Sequence, residues 1–392
     1  MSKRWVPFAY GFRPFFLLAG VYAAVGMSIW LWMYFTGSSP LRSLPSQLWH
    51  SHEMLFGFIA AAVAGFVLTA VPSWTGSRGF AGAPLVTLVT LWLAGRIAFA
   101  FLHLLPLDFV ILAEALFLPA IIATIAPSLF RTRNRNMILL LVIAALWATD
   151  LVFLYAVRSG DAVAASTALR AGIDVILILL TIIAGRVVPP FTANALRKQG
   201  MDVSMRSTKL IERGVLVAMI AYIVVDIFFP ANRDLLVAVS AIAAALHFVR
   251  MTGWHSLKSR HDPIVWILHI AYLWLPVGLT LRVLFLSGGF AWAAHWQHAL
   301  AAGAAATMIL AIMTRASLGH TGRPLAVSPL TTVAYVSLVL AVAVRVFGPV
   351  LLPMGYSTIV LLAGSLWLLT FLLFATVYLP ILLGPRVDGK TG

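Results

Sequence analysis

The chain has 392 residues, 62% of them hydrophobic and only 10% charged, with a formal net charge of +15. Soluble domains carry about 25% charged residues, so this composition excludes an ordinary soluble globule and makes a bilayer the natural solvent. The absence of cysteine excludes disulfides, thiolate-ligated haem, Cys-ligated iron–sulfur clusters and covalent Cys-x-x-Cys-His haem attachment.

Apolar runs of roughly 18 residues or more recur along the chain, each long enough to cross a hydrocarbon core of about 30 Å. Backbone in lipid must satisfy its own hydrogen bonds, so these runs are predicted to be helices. Taken in order there are about twelve, near 14–35, 52–73, 84–105, 108–130, 136–157, 164–188, 210–229, 234–251, 263–286, 292–315, 328–347 and 356–383. A turn near Pro106 either merges or divides two of them. Ser2 to Gly11 is short, basic and aromatic, so the first run is expected to be a retained helix rather than a cleaved signal. The longest polar connection, Thr192 to Lys209, is predicted to be a basic loop. Nothing reads as a separate soluble domain, and a single transmembrane domain over residues 1–392 is expected.

The basic residues sort by side. With the amino terminus placed inside, Lys3, Arg4, Arg13, Arg131, Arg133, Arg135, Arg197, Lys198, Arg206, Lys258, Arg260, Arg386 and Lys390 all fall inside. The opposite side holds little beyond Arg42, Arg158, Arg233, Arg282 and Arg345. This is the positive-inside pattern, with both termini cytoplasmic. The positive charge therefore reports topology and anionic lipid rather than nucleic acid.

The most informative motif opens the second run: Trp49-His50-Ser51-His52-Glu53-Met54. Ionisable groups are costly at membrane depth and usually persist there for function, so a metal or haem site is the leading reading. His50 and His52 are two apart and would point to different faces of a regular helix. Either the segment is extended and both grip one ion, or each serves a different centre. Glu53 and Met54 can share the face of His50, and a thioether beside an imidazole suits Cu(I). A polar cap on the helix is the plain alternative.

Further along, Arg96 with Glu114 and Arg170 with Asp174 are expected to form buried ion pairs. His247 is expected to be structural. His269 lies about six residues into the ninth run, roughly 9 Å below the interface at 1.5 Å per residue. It is either a ligand or a buried, hydrogen-bonded imidazole. His295 and His298 are three apart and share a face near the outer end of the tenth run. The small-residue stretch Ala301-Ala302-Gly303-Ala304-Ala305-Ala306 that follows allows close approach of a helix or a flat cofactor, with tight helix packing favoured. His320 sits in a Gly-His-Thr-Gly-Arg turn, where it ligates, carries protons or braces the turn. Arg13, Arg186, Arg315 and Arg323 gather towards one side, suited to carboxylates such as haem propionates or to lipid phosphates. Histidines on the second and tenth of twelve helices, arranged as three groups of four, are reminiscent of the large subunit of haem–copper oxidases, a fold-level analogy only.

Further motifs are Gly11-Phe12-Arg13-Pro14-Phe15-Phe16, Trp49 to Gly57, Gly65 to Pro72 with Trp74-Thr75-Gly76, and Gly185-Arg186-Val187-Val188-Pro189-Pro190-Phe191-Thr192. Leu268-His269-Ile270-Ala271-Tyr272, His298-Ala299-Leu300 and Arg315 to Leu325 complete the set. Together they resemble the NnrS family of bacterial inner-membrane haem–copper proteins. Ser73 and Val188 depart from residues common in the family, and neither is a candidate ligand. The resemblance implies a polytopic protein of the bacterial inner membrane that carries haem and copper and is linked to denitrification and nitric oxide stress. It singles out His50, His52, His269, His298 and His320.

Residues and resemblance together lead us to expect a metalloprotein that binds and processes nitric oxide, with an electron donor still to be identified. A b-type haem is expected between the second and tenth helices, on His298 and one of His50 or His52. The other of that pair and His269 are the copper candidates, with Glu53 and Met54 close by, and Arg186 and Arg315 are expected to anchor propionates or tune the field of the site. Nitric oxide turnover as a reductase or oxidoreductase and simple sequestration both stay open. A twelve-helix transporter of a metal or small solute is the alternative, and a membrane sensor of nitric oxide ranks last.

Overall fold

The apolar runs are helices in the computed structural model of the chain, which describes residues 6–39, 45–205 and 208–390. In order they are α1 (Phe12–Thr36), α2 (Ser46–Thr75), α3 (Ala83–Ala100), α4 (Leu107–Arg131), α5 (Arg135–Ser159) and α6 (Ala162–Lys198). Then follow α7 (Lys209–Phe228), α8 (Arg233–Thr252), α9 (Pro263–Ser287), α10 (Ala291–His320), α11 (Pro329–Leu351) and α12 (Tyr356–Leu383). No strand occurs among the described residues. Eleven of these helices are long and apolar enough to cross a membrane. The other, α7, has 20 residues but carries Lys209, Glu212, Arg213 and Asp226. The chain is thus an all-α polytopic membrane protein. Among the residues used for topology, Ser2, Lys3, Arg4, Arg42 and Arg206 lie outside the described ones.

The structure adds detail to the expected spans in three places. The turn before Pro106 divides α3 from α4, and α4 itself is interrupted at Leu116 between Leu107–Ala115 and Phe117–Arg131. Helix α6 does not stop near residue 188. It runs through Pro189 and Pro190 to Lys198, so the polar connection shrinks to the residues between Lys198 and Lys209. Each proline removes one backbone donor, yet the segment stays helical through both to Lys198. Finally, α2 and α10 each contain a stretch of wider turns with i→i+5 hydrogen bonding, Glu53–Ile59 and Ala299–Ala306.

The described residues gather into two compact units. One holds the described residues up to Gly172 with Met313–Leu325 and those from Leu368 onward. The other holds Ile173–Ile312 and Ala326–Trp367. Within the first, aromatic side chains of α1 seat on glycines of α2. A Cβ on Gly57 would lie 2.3 Å from the Tyr22 ring and one on Gly65 2.7 Å from the Phe16 ring, so only hydrogen fits there. Arg13, 1% exposed, donates from Nη1 to Leu382 O at 2.9 Å and Gly384 O at 2.7 Å. A cation on the last carbonyls of α12 complements the negative end of its dipole.

The tail beyond α12 docks on the end of α10. Arg386 donates to His320 O at 2.6 Å and to Asp388, and Val387 N–H donates to Thr321 O at 3.1 Å. The Arg386 guanidinium holds the Asp388 carboxyl down at about 2. A carboxylate lowered in the folded state contributes stability above its ordinary pKa and loses it as the pH falls through the lowered value. Hydrogen exchange at the Val387 amide, relative to its intrinsic rate, is therefore expected to be protected above about pH 4 and to lose protection as pH approaches about 2. Protection unchanged across that window would show that the pair does not hold the tail.

Candidate metal centres

Inside the first unit, five helices bring together Tyr22, His52, Glu53, Arg96, Glu114 and Asp150. His52 and Glu53 are fully buried, and Asp150, Glu114 and Arg96 are 2%, 4% and 6% exposed. His52 Nδ1 lies 2.9 Å from Glu53 Oε1, and its Nε2 lies 3.1 Å from Asp150 Oδ1. Arg96 forks between two carboxylates, Nη1 donating to Glu53 Oε1 and Nη2 to Glu114 Oε2. Tyr22 donates to Glu53 Oε2. The imidazole of His52 is clamped by Phe56, Phe99 and Phe153, with ring centroids 4.9, 4.2 and 4.6 Å away. One ligand atom each from His52, Glu114 and Asp150 lie within 4.8 Å of one another. Beside them is a small cavity lined by Phe56, Trp92, Arg96, Glu114 and Asp150 among others, with room for about one water.

The pairing of Arg96 with Glu114 was legible in the sequence. Asp150 was not singled out, although a lone carboxyl in the middle of an apolar run is the signal that marks such residues. Tyr22 gave no signal, because a tyrosine in a membrane helix is unremarkable until its partner is known.

His50 and His52 lie on a regular helix, Ser46–His52, so they face different neighbours. The ring of His50 stacks on Trp30 of α1 at 4.7 Å. Met54, one turn on, sets its methyl group against Gly26 of α1, where a Cβ would come within 2.8 Å. The imidazole and thioether therefore share the α1 face, whereas His52 and Glu53 join the carboxylates. Of the two possibilities left open by the spacing, separate environments is the one found. Just past this segment the wider turns begin, and within them Gly57 O accepts the indole N–H of Trp92 at 3.1 Å. Widened turns of this kind are frequent at functional sites.

In the second unit, the motif around Pro189 and Pro190 anchors two networks. Thr192 Oγ1 lies 2.9 Å from His269 Nε2, and Ser256 Oγ lies 2.9 Å from His269 Nδ1. His269 is thus a buried imidazole held by two hydroxyls. Gly185 is the seat of Arg250, which bonds Glu212, Thr181 O and the Tyr272 hydroxyl. Tyr272 in turn lies 2.6 Å from His247 Nδ1. A Cβ at Gly185 would fall 1.7 Å from Arg250 Nη2. Gly185→Ala is accordingly expected to dislodge this guanidinium and lower stability by about 1–3 kcal/mol, as overpacking does. Thermal unfolding in detergent measures it, and an unshifted midpoint would show that Arg250 relocates freely.

At the start of α10, His295 and His298 stand with ring centroids 6.3 Å apart and planes at 80°. His295 Nδ1 is held by Arg345 at 3.1 Å, and Arg345 also bonds Tyr356 at 2.9 Å. His298 is half-buried and directly precedes the wider turns Ala299–Ala306. The small residues there serve packing against α9: a Cβ on Gly303 would meet the Trp274 ring at 2.6 Å, and one on Gly278 would meet the Leu300 side chain at 2.6 Å. His320 lies between Tyr10 and Phe12, at 6.2 and 5.4 Å. Arg186 is exposed and Arg315 half-buried. Thus His50, His52, Glu53, Met54, His320 and Arg315 belong to the first unit and His269, His298 and Arg186 to the second.

Buried imidazoles and carboxylates on apolar helices define a membrane protein built around ionisable interior sites, the kind of site that binds cofactors or moves protons and ions. The family model described as NnrS protein matches residues 6–386, nearly the whole chain, and the chain belongs to that family. No curated protein matches the sequence.

Proposed function

We propose that this protein carries haem b and copper and uses them to bind and process nitric oxide in the bacterial inner membrane, with both termini in the cytoplasm. NnrS membership links the chain to nitric oxide. The observation that carries the cofactor reading is the shared layout of α2 and α10. On each, a histidine pair runs directly into a stretch of wider turns, His50 and His52 before Glu53–Ile59 and His295 and His298 before Ala299–Ala306.

His298, half-buried at the mouth of its helix, suits an axial haem ligand, with His50 the other candidate of that kind, because Glu53 and Asp150 engage both ring nitrogens of His52. His50 and Met54 on one face offer an imidazole and a thioether, a soft pair fitting Cu(I). His269 is a further copper candidate, and His320 stays a candidate ligand. Arg186 and Arg315 are the proposed propionate partners, Arg being suited to forked binding of carboxylates. Bound haem iron and copper supply the redox and nitric oxide-binding chemistry. The protein supplies the ligands and a low-dielectric surrounding that a small apolar gas enters through the lipid.

The test is the reduced-minus-oxidised absorption spectrum of detergent-purified protein, with metal analysis on the same sample, before and after nitric oxide. A b-type spectrum with bound copper and a shift on nitric oxide addition is expected. Folded protein that is colourless and metal-free would overturn the proposal and leave a transporter of a metal or small solute in its place.

A further inference from the structure

The buried carboxylates of the first unit are short of positive charge. Among the described residues Glu53 and Glu114 pair with a single guanidinium, that of Arg96, so with Asp150 ionised as well two negative charges are uncompensated when His52 is neutral and one when it is an imidazolium. A buried, unpaired charge is among the most costly features a protein can hold. The hydrogen bonds show where the deficit sits. Glu53 takes Tyr22, Arg96 and His52 Nδ1, and is satisfied as an anion. Glu114 has only Arg96 on Oε2, and its Oε1 is buried with no hydrogen-bond partner.

His52 localises it further. A neutral imidazole has one N–H. If Nδ1 gives that proton to Glu53, the lone pair on Nε2 faces the Asp150 oxygen 3.1 Å away, acceptor against acceptor. A cation between them turns this repulsion into ligation. Two ligands about 2.1 Å from an ion and at right angles stand about 3.0 Å apart. The Glu53–His52 contact is then the carboxylate–histidine pairing that orients metal-bound imidazoles.

We infer that His52, Asp150 and Glu114 form a divalent-cation site, with Glu53 orienting His52 and Arg96 bridging Glu53 to Glu114. One imidazole and two carboxylates select hard to borderline ions, manganese, iron or zinc, over Cu(I). The site is distinct in donor chemistry and position from the His50–Met54 face, and it stands whether or not haem and copper are present.

The probe is Mn2+ added to purified, chelator-treated protein and followed by loss of the free-ion paramagnetic resonance signal, with Zn2+ as competitor. Wild-type protein is expected to bind about one equivalent that Zn2+ displaces. Asp150→Asn and Glu114→Gln should abolish that binding, and Glu53→Gln should weaken it about 10–100-fold. Haem absorbance and copper content on the same samples report the other cofactors separately. Gel filtration certifies folding, and Asp150→Glu, which keeps a carboxylate, should recover part of the affinity. Folded wild-type protein that takes up neither ion, or binding unchanged in both ligand variants, would overturn the inference. A protonated-carboxyl infrared band that persists in wild-type protein after Mn2+ is added, and that Asp150→Asn removes, would also overturn it, assigning the charge deficit to stored protons instead.

Discussion

Replacing Arg96 with alanine is expected to prevent accumulation of folded protein or to lower its stability by about 3–5 kcal/mol, the cost of breaking a buried ion pair by removing one partner. Arg96 donates to Glu53 and Glu114, both carboxylates within a few per cent of full burial. Without it, the cluster holds three carboxyls and no fixed cation. Total stabilities are about 5–15 kcal/mol, so the loss is a large share of what holds the unit together. Arg96→Lys should fall between, since an ammonium cannot fork to two carboxylates as a guanidinium does. The double variant Arg96→Ala with Glu114→Gln should recover part of the loss, because the second change removes the charge the first left exposed. The 13 tryptophans provide a fluorescence readout of thermal unfolding for the full double-mutant cycle. Additivity of the two changes, or a single variant within 0.5 kcal/mol of wild type, would show that the pair carries no such energy.

The same cluster shows why the fold was more legible than the site. Hydrophobic run length fixes a membrane helix almost by itself, and apart from α6 each of the twelve expected spans coincides with a helix whose ends lie within six residues of those expected. In α6 the expectation failed because Pro189 and Pro190 look like a terminator. The seat of Arg250 on Gly185 and the Thr192–His269 contact, which join α6 to α8 and α9, are invisible to local sequence. His50 and His52 were legible as a choice between two arrangements, since helical periodicity alone separates residues two apart. Choosing required knowing that Trp30 lies on one side and Phe99 and Phe153 on the other. Asp150 and Glu114 reach His52 from separate helices, and no spacing rule connects positions so far apart in the chain. The wider turns in α2 and α10 have no sequence marker either: one is rich in bulky residues, Glu53 to Ile59, and the other in alanine, Ala299 to Ala306.

Replacing His298 with alanine is expected to remove the haem altogether, whereas replacing His295 is expected to leave it bound. A chain without cysteine cannot tether haem through Cys-x-x-Cys-His, so retention of the proposed haem would rest on axial ligation and packing. The neighbouring His295 already has a structural role, with Nδ1 on Arg345 and its ring stacked on Tyr356 at 5.9 Å. Its plane lies at 80° to that of His298, so the two rings are not interchangeable. Loss of His295 should release the half-exposed Arg345–Tyr356 contact and lower stability by at most about 1 kcal/mol. The readouts are the haem absorbance per protein and the thermal midpoint for each variant. Added imidazole should restore the spectrum of His298→Ala by entering the space the side chain vacated, which rescue of a merely structural defect would not do. A normal haem complement in folded His298→Ala protein would move the axial ligand away from His298 and leave His50 as the candidate, and haem loss confined to His295→Ala would assign it to His295.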